Sequence, residues 1–265
     1  MQKLSLTKEV LISGSNLFGR PAYLRLTPCS EPGWYWDVGT NIVPINRKLV
    51  RIKKNRVVLQ YQASRLNVVE HILPLRWTGL DGVIIEASAW PPYFGGMLGL
   101  WQAIEPNLTT TNQQIPWLKI IEEKSVSTGK RSIRWASNKT PGLKIKIAVD
   151  FPKFGCLTKR FQLPDQNLIN YFPARPLAVN SHNNFWPALS RAVTKTGLWP
   201  HHNCLAWPTE RPVPELLDEL VNHRLLDLLG ALAMIDHCRL PTGRVISVRG
   251  GHALDVQLIT KNPVT

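Results

Sequence analysis

The apolar run over residues 215–235 is the feature that most constrains the fold, because it has the length and periodicity of a long helix. Pro214 precedes it, and proline is favoured at the start of a helix. Residues four apart lie on one face of a helix, so His223 and Asp227 share one stripe. Apolar or small residues fill the rest of that stripe, namely Leu216, Leu220, Gly230 and Met234. The sequence therefore predicts two polar groups in an apolar row.

This pair of polar residues has two interpretations. A buried carboxylate or imidazole is costly without a partner, and a His-x-x-x-Asp pair can present both groups to one zinc ion. The alternative is a neutral core histidine that is hydrogen-bonded to the aspartate. A catalytic zinc site usually has three protein ligands and a water, so the first interpretation requires a third ligand from elsewhere in the chain.

A Glu-His pair offers that third ligand with a base beside it. The periodicity over residues 67–77 predicts a helix, which Pro74 should kink or shorten, and His71 lies on it. Glu70 is a candidate general base, because metal-bound water needs a carboxylate to take its proton as it attacks a carbonyl. A Glu-His pair alone is more typical of a protein surface.

His252 follows Gly250 and Gly251, which allow a tight turn and would place its imidazole at the mouth of a site. An imidazole there could protonate a leaving amine. The alternative is a turn histidine without a chemical role. The remaining histidines have no comparable setting: His182, His201, His202 and His237.

β-rich runs alternate with turns and helical runs in both halves of the chain, which predicts an α+β fold. Strands are predicted over residues 9–12, 22–26, 56–61, 83–86, 117–121, 132–135, 144–149 and 244–248. A second helix is predicted over residues 98–104. The last run, residues 252–259, predicts a helix or a strand.

The polar stretch over residues 107–114 is interpreted as a linker. It divides the chain into an N-terminal α+β domain, residues 1–112, and a C-terminal α+β domain, residues 113–265. The same order of strands and then helices recurs in both, without a convincing sequence repeat. The segment 173–214 is rich in proline, asparagine, histidine and tryptophan, and it predicts little beyond a helix over residues 185–193.

The formal net charge of +14 favours an anionic partner: nucleic acid, anionic lipid headgroups or a phosphorylated substrate. The short basic clusters over residues 51–56 and 130–134 accompany no nucleic-acid motif and are typical of solvated strands or turns. The sequence shows neither a signal peptide nor a run of roughly 18 apolar residues, so we expect a cytoplasmic chain without a transmembrane segment. The four cysteines are scattered singly, which argues against a disulfide framework.

The order of these motifs resembles one enzyme family. Val69-Glu70-His71 is followed by the turn Gly79-Leu80-Asp81, then by the run from His223 to Gly230, and finally by Gly251-His252-Ala253-Leu254. Over nearly the whole chain this order is similar to UDP-3-O-acyl-N-acetylglucosamine deacetylase, the zinc enzyme of lipid A synthesis. The resemblance implies Zn²⁺ as cofactor, with ligands at His71, His223 and Asp227. It also implies a general base at Glu70 and an acidic histidine at His252.

The resemblance has further implications for fold and substrate. It implies two α+β domains of like topology, with helices sandwiched between two β-sheets and the site in the cleft between domains. Arg224 and Arg175 become candidate contacts for a UDP-linked acylated amino sugar. The expected partners are this substrate and, through the net charge, an anionic membrane surface, but no nucleic acid.

Two departures from the family pattern keep a second function open. Pro176 stands where the family has a threonine that hydrogen-bonds the oxyanion, and losing one such donor costs roughly two to three orders of magnitude in rate. Ala231 stands where it has an aspartate that orients and charges the acidic histidine. The alternative to an active deacetylase, which could itself be of reduced activity, is a catalytically impaired zinc-binding paralogue that binds an acylated or anionic ligand.

Overall fold

Two five-stranded β-sheets form the frame of the fold in the computed structural model. The structure describes residues 1–16, 18–53, 56–93, 97–120, 122–138, 141–151, 155–165, 167–175, 177–178, 205–206 and 213–261. In chain order the strands are β1 (Gln2–Leu6), β2 (Val10–Ser15), β3 (Pro21–Pro28), β4 (Trp34–Asp37), β5 (Ile42–Pro44), β6 (Val50–Lys53), β7 (Arg56–Tyr61), β8 (Ser64–Asn67), β9 (Val83–Ala87), β10 (Leu108–Gln114), β11 (Trp117–Leu118), β12 (Lys124–Thr128), β13 (Arg131–Ala136), β14 (Leu143–Phe151), β15 (Gly155–Leu163), β16 (Leu177–Ala178), β17 (Leu205–Ala206), β18 (Leu240–Pro241) and β19 (Gly243–Val248). The α-helices are α1 (Leu98–Ile104), α2 (Val213–Ala233) and α3 (His252–Thr260), and short 3-10 helices cover Arg47–Leu49, Val69–His71, Leu73–Thr78, Glu105–Asn107 and Leu168–Tyr171.

The two large sheets have the same strand order and the same pairing directions. The first sheet runs β2-β3-β9-β4-β5 and the second runs β12-β13-β19-β14-β15. In each, the last strand in sequence is central, antiparallel to one neighbour and parallel to the other. The mixed helices and sheets confirm the predicted α+β class.

Side chains alternate between two faces along the strands of both sheets, as the pleat requires. In β19, Val245 and Ser247 are buried, whereas Arg244 is exposed and Ile246 is half-buried. The buried faces belong to one apolar cluster that includes side chains from both halves of the chain. The interior is therefore continuous across the two sheets.

Helix α2 links the two halves. It contacts the 3-10 helices over residues 69–78 from the N-terminal half, and β14 and β15 from the second sheet. Helix α3 contacts α2, β12 and β13, and also β6 from the N-terminal half. The inner face of the second sheet is thus covered by α2 and α3.

A buried arginine adds a polar connection between the halves. The guanidinium of Arg76 donates to the carbonyl oxygens of Ala233, Asp236 (2.7 Å) and His237 (2.9 Å), and Arg76 is fully buried. Burial lowers the pKa of Arg76 to about 10. A cation at the carboxyl end of α2 also opposes the partial negative charge of its free carbonyl groups.

The predicted elements are largely confirmed, with two corrections. The helix expected over residues 67–77 is a pair of 3-10 helices, because Val68 has a left-handed backbone (φ 52°) and Pro74 begins a new turn. The linker expected over residues 107–114 is β10, which pairs with β1. Its threonines suit an extended backbone, and its polar side chains face solvent.

The remaining expectations about the fold have different outcomes. The last run, residues 252–259, is a helix, α3. The predicted helix over residues 185–193 lies outside the described residues. The boundary proposed between residues 112 and 113 falls inside β10, and the division into two domains stays a prediction. No helix among the described residues has the length and apolar character needed to cross a bilayer.

Candidate active site

Three ligand atoms converge where the 3-10 helix Val69–His71 meets α2. Their pairwise separations are all within 4.8 Å. The Oδ1 atom of Asp227 lies 3.4 Å from Nε2 of His223 and 3.8 Å from Nε2 of His71. Ligands of a tetrahedral zinc ion with bonds near 2.1 Å lie roughly 3.4 Å apart, so this spacing suits such an ion.

A glycine allows the two elements to approach this closely. A Cβ atom at Gly230 would lie 2.7 Å from the carbonyl oxygen of Glu70 and 2.8 Å from its Cα atom. The backbone of the 3-10 helix therefore packs directly on α2 at Gly230. This contact explains why a glycine interrupts the apolar stripe that contains His223 and Asp227.

The local settings of the three residues suit a cation. The Nδ1 atom of His223 lies 3.3 Å from the carbonyl oxygen of Ala174; if Nδ1–H donates there, the Nε2 lone pair faces the other two ligands. Burial, followed by the nearby His223 imidazole, lowers the pKa of His71 to about 3, so this ring is neutral. Burial pushes the pKa of Asp227 upward, but the neighbouring imidazoles outweigh it, so the pKa lies below its usual value.

One carboxylate oxygen of Asp227 bears on whether these residues suit a zinc ion. The Oδ1 atom of Asp227 is buried and has no hydrogen-bond partner among the described residues. The core-pair interpretation requires a hydrogen bond between His223 and Asp227, but Nε2 and Oδ1, although 3.4 Å apart, do not form one. Imidazole nitrogens and carboxylate oxygens are ligands that zinc prefers, so these residues fit the ion.

Glu70 and His252 lie beside the three candidate ligands. The Nε2 atom of His252 is 3.8 Å from Oε1 of Glu70 and 3.8 Å from Oδ2 of Asp227. Glu70 is 2% exposed; its Oε1 accepts a hydrogen bond from the Val57 N–H at 3.2 Å, and its Oε2 has no partner among the described residues. The structure thus brings together all five residues to which the sequence assigned a metal-binding or acid-base role.

Burial affects the pKa of Glu70 and His252 differently. Burial raises the pKa of Glu70 to about 7, against the smaller opposing effect of His252. Burial by itself lowers the pKa of His252. The carboxylates of Asp227 and Glu70 raise it, and because their combined effect is larger, the net shift is upward. Near neutral pH, the pair can hold one proton on the imidazole and leave the carboxylate able to accept another.

The two arginines predicted to contact substrate have different settings. Arg224 is 7% exposed, and its guanidinium binds the carboxylate of Asp255 and the hydroxyl of Ser247, the latter at 3.3 Å. The Nε atom of Arg175 donates to Glu219 at 2.8 Å. Arg175 and Glu219 line a cavity of about 490 Å³, together with Asn170, Pro173, Ala174, Glu215, Asp218 and Asn222; Arg224 does not line it. A role in substrate binding stays a prediction for Arg224 and Arg175.

Asp255 is a charged residue near the site that no sequence motif indicates. It lies one turn after His252 on α3, is fully buried, and contributes to the raised pKa of His252. Ala231, where the family pattern has an aspartate, is also fully buried. The sequence offers one signal for Asp255, a carboxylate between the apolar residues Leu254 and Val256. Because residues 252–259 could be predicted only as a helix or a strand, the side of the element on which Asp255 lies could not be predicted.

Other candidates are placed elsewhere. Pro176, His201 and His202 lie outside the described residues. His237 lies in a second group with Asp236 and Cys238 whose ligand atoms are within 4.8 Å of one another. The carboxylate of Asp236 already accepts hydrogen bonds from Arg239 and from the backbone N–H of Cys238, and burial raises the pKa of the Cys238 thiol. That group is therefore a poor metal site.

The fold and the site together define a class of protein. A cluster of two half-buried histidines and a buried aspartate, beside a carboxylate and an imidazole, is the composition of a metal-assisted hydrolase site. A family model, that of UDP-3-O-acyl N-acetylglycosamine deacetylase, matches residues 3–261, and the chain belongs to this family. It is thus a member of a deacetylase family connected with lipid A biosynthesis. Among curated proteins, no match is found.

Proposed function

We propose that the protein is a zinc-dependent amidohydrolase that removes the acetyl group from a UDP-linked 3-O-acyl-N-acetylglucosamine. One observation carries the proposal: the ligand atoms of His71, His223 and Asp227 lie within 4.8 Å of one another. Beside them, Nε2 of His252 is 3.8 Å from Oδ2 of Asp227 and 3.8 Å from Oε1 of Glu70. Family membership supports the reaction type. The nucleotide-linked substrate implies a cytoplasmic location.

The three ligands have one chemical purpose in this proposal. A zinc ion bound by His71, His223 and Asp227 would polarise the amide carbonyl and lower the pKa of a bound water. The Ala174 carbonyl oxygen orients His223, and the packing at Gly230 holds the turn that carries His71 against α2. The ligand geometry is thus set by the backbone of two elements.

Glu70 and His252 divide the proton transfers between them. Glu70 accepts a proton from the attacking water as the new C–O bond forms. His252, as an imidazolium, donates a proton to the amine nitrogen as the C–N bond breaks, which releases acetate and the free amine. The raised pKa of His252 keeps that proton on the ring until the bond breaks.

Arg175 and Arg224 are the candidate contacts for an anionic substrate, and each is ion-paired, Arg175 with Glu219 and Arg224 with Asp255. Arg175 is half-buried, lines the 490 Å³ cavity, and follows Ala174, whose carbonyl oxygen contacts His223. We assign Arg175 to the diphosphate or sugar of the substrate. Arg224 is more deeply buried, so a phosphate would have to compete with Asp255 for its guanidinium.

A catalytically impaired zinc-binding paralogue is the second candidate, and Ala231 favours it. The methyl group of Ala231 is fully buried and supplies no charge to His252. The same site would then hold zinc and bind an acylated or anionic ligand without efficient turnover.

Bound zinc and acetate release distinguish the two candidates. We expect one zinc per chain and acetate release from UDP-3-O-acyl-N-acetylglucosamine. The variant Glu70→Ala should keep zinc and lose activity. The control Glu105→Ala removes an exposed carboxylate that is not one of the candidate site residues, and it should keep both zinc and activity. Stoichiometric zinc without turnover on any N-acetyl sugar would favour the impaired paralogue, and absence of zinc would contradict both.

A further inference from the structure

The outer face of the second sheet is strongly basic. Strand alternation directs five cations to this face, Arg134, Lys144, Lys146, Arg160 and Arg244, and all are exposed or half-buried. We call these five residues the basic face. With strands spaced about 4.8 Å apart, a five-stranded sheet presents a surface roughly 20 Å wide.

The strand register places like charges beside each other. Lys144 is directly opposite Arg244 across β14 and β19, and Lys146 is directly opposite Arg160 across β14 and β15. Like charges directly opposite each other destabilise a sheet. This arrangement therefore has a cost that an anionic surface would remove.

Few carboxylates offset this charge. Arg134 forms a salt bridge with Glu123, and the nearby Asp150 is occupied by Arg249. The other four cations, Lys144, Lys146, Arg160 and Arg244, form no salt bridge with any residue that the structure describes.

The first sheet provides an internal comparison, because it has the same strand order. The cation on its outer face is Arg25, which forms salt bridges with Glu9 and Glu86, and Asp37 adds a further negative charge. A solvated outer sheet face in this fold therefore does not need to be basic. Of the two five-stranded sheets, the second therefore has the basic outer face.

We propose that the basic face docks on the surface of an anionic lipid bilayer. The face is broad and carries small or aliphatic residues between its cations, such as Ala148, Ile246 and Val248. Basic residues next to anionic lipid each strengthen binding about fivefold. The proposal depends on charge and sheet geometry and does not require deacetylase activity.

Nucleic acid is a less suitable partner for this face. Single-stranded nucleic acids stack their bases on aromatic side chains, and duplexes accept a helix or ribbon into a groove. The described outward positions of β12, β13, β14, β15 and β19 carry no aromatic side chain. A lipid surface requires neither feature.

Docking through the basic face would leave the candidate active site accessible. Helices α2 and α3 cover the opposite, inner face of the same sheet, and they carry His223, Asp227 and His252. The membrane and the site therefore lie on different sides of one layer.

Vesicle co-sedimentation tests this proposal on the full-length protein. The vesicles contain either phosphatidylglycerol with phosphatidylcholine or phosphatidylcholine alone, in about 0.1 M salt, where the Debye length is about 10 Å. We expect binding only to the anionic vesicles. The variant Lys144→Gln/Lys146→Gln/Arg160→Gln/Arg244→Gln should lose at least about a hundredfold in partition coefficient.

A matched variant separates the face from net charge. Lys8→Gln/Arg20→Gln/Lys48→Gln/Arg65→Gln removes the same charge from exposed positions elsewhere and should lose less than about threefold. Equal losses for the two variants, or no binding by the wild-type protein, would overturn the proposal. Tighter binding to duplex or single-stranded DNA through the same four residues at the same salt would reassign the face to nucleic acid.

Two further measurements keep the result interpretable. Unfolding of both variants in urea shows whether the Gln substitutions preserve the fold; if the face variant is unfolded, single substitutions at Lys144 and Arg160 replace it, with about fivefold loss expected for each. Acetate release in the absence of vesicles tests the enzymatic proposal separately. Its failure would leave the vesicle result unchanged.

Discussion

Glu70 is a carboxylate in a buried position, where the charged form is destabilised. It is 2% exposed, and burial raises its pKa to about 7. A carboxyl group whose pKa is raised in the folded state stabilises the protein below the pKa of the unfolded chain. That stability is lost as pH rises towards the folded-state pKa. Glu70 should therefore reduce stability at the pH at which it is useful.

The substitution Glu70→Gln should separate these two effects. Activity should fall roughly 10²–10⁴-fold, because the amide cannot accept a proton. After zinc removal, the free energy of unfolding at pH 8 should exceed that of the wild-type protein by up to about 3 kcal/mol, with little difference below pH 4.5, the ordinary pKa of a glutamate. Urea unfolding between pH 4 and 8 measures the free energy of unfolding of both proteins. If the wild-type protein were more stable than Glu70→Gln at pH 8, the prediction would be wrong.

Substitution of a candidate ligand should abolish metal binding. We expect His223→Ala to lose zinc, because the remaining His71 and Asp227 offer only two of three ligand atoms. Metal analysis after dialysis measures the zinc content. The control His237→Ala, which alters a half-buried histidine beside Tyr35, should keep zinc. A chelator should lower the thermal midpoint of the control and leave that of His223→Ala unchanged.

At the scale of elements, the contact between α2 and the 3-10 helix Val69–His71 sets the position of the base. The substitution Gly230→Ala would place a Cβ atom 2.7 Å from the carbonyl oxygen of Glu70, so one backbone must move. We expect a loss of about 1–3 kcal/mol in stability and at least about tenfold in activity, since small displacements of catalytic groups are costly.

A second glycine provides the control for this prediction. In Gly14→Ala the new Cβ atom would meet the Cβ atom of Pro92 at 3.5 Å, an ordinary contact. Stability and activity should change little. If Gly230→Ala were as active and as stable as Gly14→Ala, the close packing of the two elements would be wrong.

The ion pair between Arg224 and Asp255 connects α2 to α3. Both residues are buried, and each has polar atoms without partners among the described residues. Arg224→Met or Asp255→Leu alone should cost about 3–5 kcal/mol by leaving an uncompensated buried charge, whereas the double variant should recover most of that loss. Urea unfolding of all four proteins measures the coupling. Additive losses would show that the two residues act independently.

At the scale of the whole molecule, the two halves should unfold together. One apolar cluster includes side chains from both halves, and Arg76 donates to three carbonyl oxygens at the end of α2. We expect tryptophan fluorescence and far-ultraviolet circular dichroism to give one coincident urea transition. Arg76→Met should shift both signals together, by about 2–5 kcal/mol. Two separated transitions would instead support independently folding domains.

The sequence predicted those parts of the site that depend on helical spacing. His223 and Asp227 could be paired because residues four apart share a face of any helix. The position of His71 depends on a contact between elements far apart in sequence; its residue type makes it one candidate for the third ligand, and the family resemblance connects it to α2. The 3-10 geometry around Val68 could not be predicted, because a left-handed valine is unfavourable locally and is held by its surroundings.

Polar sequence patterns were the main source of error in the fold. Strand β10 was interpreted as a linker because its residues are hydrophilic, yet pairing with β1 satisfies its backbone while its side chains face solvent. Asp255 was missed because its partner, Arg224, is distant in sequence and was assigned to the substrate. In both places a long-range partner, which no local pattern contains, determines the structure.

The alternation of β19 has a practical consequence. Ser247 points inward and accepts a hydrogen bond from Arg224, while Arg244 points outward within the basic face. Adsorption to a negatively charged resin or sensor chip would therefore occur through one side of the molecule, with α2 and α3 on the side of the second sheet that faces away from the resin or chip. An untagged protein could in this way be immobilised in a single orientation and still receive substrate.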